Sequence, residues 1–234
     1  LWIKLLLFLL GSFWTVLHQI DQQLPEAPLT RFKFLALIPL LPLVVADLVL
    51  TWLYFSGLNP EIITSCCGAL FSTGGKGVAS ELAALPMRPM MIAFYVASLL
   101  LGLMFFICRR SAGWWWRSLL ALSATGFGIV SIASVVAFIS VYYYRLPTHH
   151  CPFDLLQGHY YFIGYPLYVC LFGALLCGLV PQLLVLLQAR HISPDLIARQ
   201  ERRWLNVGLF FLLGFMVIVT WPLVFGHFSM QAYF

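Results

Sequence analysis

The feature that most constrains this chain is a series of long apolar runs. They are Leu5–Leu17, Phe34–Phe55, Pro89–Cys108, Ser118–Tyr144, Tyr161–Leu187 and Leu205–Phe225. A helix crossing the hydrocarbon of a bilayer needs about 20 mostly apolar residues, and the last five runs supply them. The first does so only when Leu1–Ile20 is taken whole. The runs are continuous rather than alternating, so they read as helices and not as barrel strands. Composition agrees: 62% of the 234 residues are hydrophobic and only 9% are charged. A soluble domain is nearer 45–50% apolar and about 25% charged. A disordered chain, a soluble α/β enzyme and a nucleic-acid-binding domain are thereby excluded. The net charge of +5 is no nucleic-acid signal, because the basic residues sit in short clusters between the apolar runs.

The expected fold is all-α: a polytopic membrane helix bundle of about six transmembrane helices, with two ordered extracytoplasmic loops, forming one transmembrane domain over residues 1–234. The fourth run marks its own ends, with Trp114, Trp115 and Trp116 at one and Tyr142, Tyr143 and Tyr144 at the other, as interfacial aromatic belts do. Orientation follows from Lys and Arg. Alternate connections hold nine basic residues: Arg31, Lys33, Arg109, Arg110, Arg117, Arg190, Arg199, Arg202 and Arg203. The other side holds four: Lys4, Lys76, Arg88 and Arg145. The richer side is cytoplasmic by the positive-inside tendency. Both ends of the chain then face outward, in what reads as a bacterial inner (plasma) membrane. The sequence begins at Leu1, which reads as a processed or incomplete start.

Proline at 39, 42, 166, 181 and 222 falls within or at the ends of the runs and is expected to kink helices and free carbonyls. Ser193-Pro194-Asp195 has the pattern of a helix start. It predicts a short basic helix over 193–204 at the cytoplasmic surface, resting on anionic lipid or docking a partner. No internal repeat is present, so an inverted-repeat transporter has no support.

This topology gathers polar chemistry in the two outer loops, 57–88 and 145–160. The first holds Cys66 and Cys67. The second holds His149-His150-Cys151-Pro152-Phe153-Asp154 and His159, and His227 follows the last run on the same side. Three readings compete. A disulfide from Cys151 to Cys66 or Cys67 would staple the loops, as an oxidising exterior allows. A bond between the adjacent Cys66 and Cys67 is disfavoured, because their Cα atoms lie about 3.8 Å apart, below the usual disulfide range. A metal site would draw on Cys66, Cys67, His149, His150 and Cys151, with Asp154, His159 and His227 as further donors. Thiolate and imidazole suit copper or zinc. Thiol exchange is the third reading, since three outer cysteines make one pair and one attacking thiol. Here Cys151-Pro152-Phe153-Asp154 resembles, over four residues, the Cys-x-x-Cys loops of membrane disulfide-forming enzymes, with Asp154 in place of the second cysteine. Cys108, Cys170 and Cys177 lie within runs and read as small packing residues.

Covalent c-type haem has no motif, and His18 and His227 sit at opposite ends of their runs, so they cannot share one haem. A haem at the outer surface stays open. Gly74-Gly75-Lys76-Gly77 lacks the remainder of a phosphate-binding loop. Asp47 is the one acidic residue deep in a run, with Thr51 a turn further on. It is either a proton, cation or quinone site, or a neutral hydrogen-bonder to backbone freed by Pro42. No complete catalytic constellation is present, so enzymatic activity is left undecided. The expected function is an integral membrane component whose outer Cys/His cluster handles copper or zinc, or exchanges thiols or electrons. It would serve as a subunit of a larger transport or electron-transfer assembly, with the bilayer and other membrane or extracytoplasmic subunits as partners and no nucleic acid. The alternative is a non-catalytic membrane subunit or permease with a structural outer disulfide.

Overall fold

The structure, a computed structural model, describes residues 2–24, 29–57, 77–111, 113–188 and 194–226. Among them every regular element is helical. In chain order these are α1 (Trp2–Asp21), α2 (Thr30–Leu37), α3 (Leu40–Ser56), α4 (Val78–Ala83), α5 (Met87–Arg110) and α6 (Trp114–Ser134). A π-helical turn (Val135–Ile139) joins α6 to α7 (Ser140–Tyr144). Two 3-10 turns (Asp154–Leu156 and Gly158–Tyr160) precede α8 (Gly164–Gln188) and α9 (Pro194–Phe225). Six helical stretches are long and apolar enough to cross a membrane: Ile3–Asp21, Thr30–Ser56, Met87–Arg110, Trp114–Tyr144, Gly164–Leu187 and Pro194–Phe225. The chain thus reads as an integral membrane protein, and six such helices among the described residues match the expected count of about six.

The span bounds differ from the apolar runs by a few residues throughout, and three of the differences matter most. The first span is longer than Leu5–Leu17. The fifth begins at Gly164 rather than Tyr161, because Tyr161 and Phe162 both hold left-handed backbone, with φ of 54° and 55°. The separate basic helix over 193–204 is not formed: Pro194–Phe225 is one continuous helix. Ile197, Glu201 and Leu205 are buried along one face of it, so the basic segment packs as the beginning of the last span. Arg199, Arg202 and Arg203 remain exposed on the opposite face.

The chain divides into two compact units, Leu1–Ile63 with Leu186–Ile197, and Thr64–Val185 with Ala198–Phe234. In the first, α1 and α2 are tied by a buried ionic knot. Asp21 is fully buried and accepts hydrogen bonds from Lys33 Nζ (2.6 Å), Leu29 N (2.8 Å) and Thr30 Oγ1 (2.9 Å). Three donors on one carboxylate are what a buried charge requires. Lys33 also donates to His18 Nδ1 at 3.4 Å, and its carbonyl accepts from Trp14 Nε1 at 3.0 Å. Pro39 separates α2 from α3, and no residue of α3 is buried, so its apolar surface is left to lipid.

The second unit is built around interlocked phenylalanines. Phe94, Phe127, Phe138 and Phe215 are fully buried and meet edge to face, with centroids 5.7–5.8 Å apart. Small residues let helices approach. A Cβ added at Gly178 would lie 2.5 Å from Ala124 Cβ, and one at Gly208 2.5 Å from Phe105 Cζ. Close approach through small residues is the usual basis of helix packing in lipid. Arg117 at the start of α6 grips Glu201 of α9 with two bonds, Nε to Oε1 at 2.7 Å and Nη2 to Oε2 at 2.6 Å.

Candidate functional site

The loop between α7 and α8 is folded down onto the helices that it joins. α7 ends at Arg145, which takes the left-handed conformation (φ 55°) and turns the chain. His149 N then donates to Leu146 O at 3.3 Å. The side chains that follow are each held by a hydrogen bond. His149 donates from Nε2 to Asp154 Oδ2 at 2.7 Å, and Gln157 Nε2 donates to Asp154 Oδ1 at 3.0 Å. His150 donates from Nδ1 to the carbonyl of Val136 at 3.0 Å, and that oxygen also accepts from Ser140 Oγ at 3.4 Å. A π-turn displaces carbonyls from their ordinary partners, and His150 reaches in from the loop to satisfy this one.

Two tyrosines hold the loop backbone. Tyr144 donates to Cys151 O and Tyr168 donates to Pro152 O, both at 2.5 Å. The Tyr144 ring packs between His149 and Tyr160, with centroids at 4.7 and 4.5 Å. The Tyr160 hydroxyl is pushed above its ordinary pKa by burial, and further by the negative charge of Asp154. Gly164 closes the loop: a Cβ there would stand 2.9 Å from the carbonyl carbon of Leu155. Cys151 and Leu155 are fully buried beneath it, whereas Phe153, Tyr161 and Phe162 are exposed. Exposed aromatic rings at this level match the aromatic belt expected at a membrane interface.

The predicted residues are thus distributed unevenly. His149 and Asp154 are brought together. His150 and Cys151 are both buried, and His159 is exposed on its 3-10 turn. Cys66, Cys67 and His227 lie outside the described residues, as does any disulfide from Cys151 to Cys66 or Cys67. Among the described residues, no group of three or more His, Cys, Asp or Glu side chains is arranged to hold a metal ion.

Asp47 has a partner that spacing along α3 did not suggest. Lys4 Nζ, from α1, donates to Asp47 Oδ2 at 2.7 Å and to Thr51 Oγ1 at 3.2 Å. The carboxylate is therefore matched by a cation, not by backbone freed at Pro42, and Thr51 serves the lysine. An open cleft of about 490 Å³ runs past this pair, with Tyr54 and Phe55 on its wall.

Sequence reasoning missed Asp21 and Glu201, and gave Tyr144 only a place in the aromatic belt. Asp21 and Glu201 carried a usable signal, since each is an acid at the end of a span otherwise marked by basic residues. Their pairing explains why Lys33 and Arg117 are buried although they had been counted only toward sidedness. Comparison with protein-family models, with curated proteins and with solved structures finds no match for this chain.

Proposed function

We propose that this chain is a membrane subunit whose loop between α7 and α8 contributes to binding a copper or zinc ion on the extracytoplasmic side. One observation supports the reading above the others: each histidine has one ring nitrogen committed to an oxygen acceptor. His149 donates from Nε2 to Asp154, and His150 donates from Nδ1 to Val136 O. Each neutral ring then keeps one lone pair, on Nδ1 of His149 and on Nε2 of His150. Metal-ligating histidines are oriented in this way, by a carboxylate or a carbonyl on the far nitrogen. Cys151, Cys66 or Cys67 supplies the thiolate donors, and lipid and a larger transport or electron-transfer assembly are the partners. Thiol exchange through the same cysteines is the redox form of the same reading. Outward orientation of the loop, in a bacterial inner membrane, rests on the Lys and Arg asymmetry.

The test is metal content per chain in the full protein and in the variant His149→Ala with His150→Ala. Bound copper or zinc in the wild type, lost in the variant, supports the proposal. A metal-free wild type sinks it. In that case the second reading stands: a non-catalytic subunit whose loop is a structural lid. Complete burial of Cys151 and the anchoring of the loop by Tyr144, Tyr168 and His150 favour that reading. Sidedness is read separately. Cysteine introduced at exposed Leu146 reacts with an impermeant thiol reagent added outside, and cysteine at Ser111 does not; the opposite pattern inverts the orientation.

A further inference from the structure

Hydroxyl side chains in the spanning helices of this protein usually bond back to their own backbone. Ser98 donates to Phe94 O (2.8 Å), Ser123 to Leu120 O (2.9 Å), Thr125 to Ala121 O (2.9 Å) and Ser140 to Val136 O (3.4 Å). Ser131 and Ser134 depart from this pattern. Both are fully buried, and neither hydroxyl has a hydrogen-bond partner among the described residues. A buried polar group without a partner is costly, and bound water is the commonest remedy. Two such groups on one helix face make a built site. Residues i and i+3 stand about 5–6 Å apart at Cβ. One water spans that gap with two ordinary O–H···O bonds of about 2.8 Å.

The surroundings enclose the site. Toward the loop, Val135, Val136, Ala137, Phe138 and Ile139 are all buried, and Phe138 stands one turn beyond Ser134. The π-turn begins at the next residue and presents the Val136 carbonyl, with Ser140 and His150 bonded to it, and the Tyr144 hydroxyl lies one turn further. In the other direction the same face is apolar. Phe127, Ala124 and Leu120 are all fully buried, and Phe127 meets Phe215 edge-on at 5.7 Å. We propose that Ser131 and Ser134 bind water enclosed within the bundle. Ser131 lies roughly 20 Å in from Tyr144 by helical rise, close to the middle of a bilayer. Polar groups at membrane depth are tolerated where they are buried in protein or satisfied by water.

Solid-state NMR of the full chain in lipid bilayers, with magnetisation transferred from water to protein, tests this directly. Water contacts at the side chains of Ser131 and Ser134 are expected in the wild type. Their loss is expected in Ser131→Ala with Ser134→Ala. A wild type without water contact at either serine overturns the proposal, whether or not the variants fold.

Discussion

Breaking the Arg117–Glu201 pair is the most searching test of how the second unit is held together. The two bonds are 2.7 and 2.6 Å, and both side chains are only 8% exposed. Glu201→Ala leaves the guanidinium buried without its counter-charge. Removing one partner of a buried pair costs about 3–5 kcal/mol, because the survivor keeps its desolvation penalty. At about 1.4 kcal/mol per decade, that is a roughly 100- to 4,000-fold fall in the folding equilibrium constant. By the scaling of about 2–4 °C per kcal/mol for chains of this size, the midpoint of thermal unfolding falls by roughly 6–20 °C. The assay is thermal unfolding of the purified protein in detergent or nanodiscs, followed by tryptophan fluorescence. Arg117→Met with Glu201→Leu is the essential second measurement. Replacing both ions with apolar groups of similar size is expected to recover most of the loss, since the net worth of a buried pair is small. Single variants within about 1 kcal/mol of wild type would show the pair behaving as an exposed one, and would refute the argument. So would a double variant as unstable as the sum of the singles.

The Lys4–Asp47 pair predicts a different pattern. Lys4→Asp and Asp47→Lys each place two like charges together and lower the unfolding midpoint, and the exchange of both recovers it, as a double-mutant cycle reads out. His150→Ala leaves the Val136 carbonyl with Ser140 alone and destabilises by about 1–3 kcal/mol. His149→Ala, at a residue about one-third exposed, costs less; the ranking is checked by denaturant titration. Tyr160 is expected to make stability fall at high pH. Its folded pKa is raised, so the folded state holds the proton more tightly than the unfolded chain. The stabilisation is present below the ordinary tyrosine pKa of 10.0 and is lost as pH rises through the higher folded value; Tyr160→Phe removes that component.

The helices were legible because their signal is local. A run such as Pro89–Cys108 has no solution in water or lipid other than a helix, and the triplet of tryptophans at 114–116 marks where one begins. What the loops would do was less legible, because a loop side chain takes its meaning from elements far away in the sequence. His149, His150 and Cys151 are adjacent and looked like one cluster. Their partners lie at Asp154, at Val136 in the preceding helix and at Tyr144, so three neighbours serve three separate contacts. Their spacing pointed toward shared chemistry, and only the packing revealed how each one is held.

The sequence by itself determined the membrane class, the number of spans and the residues able to do polar chemistry, because hydrophobic length and charge are properties of a segment alone. Tertiary structure decided which charges are paired. Lys33 finds Asp21, Arg117 finds Glu201 and Lys4 finds Asp47, the last two across 84 and 43 residues of chain. It also decided that the basic segment after Ser193 continues into the last span, and that a π-turn after Ser134 calls His150 inward. These outcomes depend on which helix faces lie against each other. No window of sequence contains that information, since an ion pair or a freed carbonyl is satisfied by whichever group packing brings within about 3 Å.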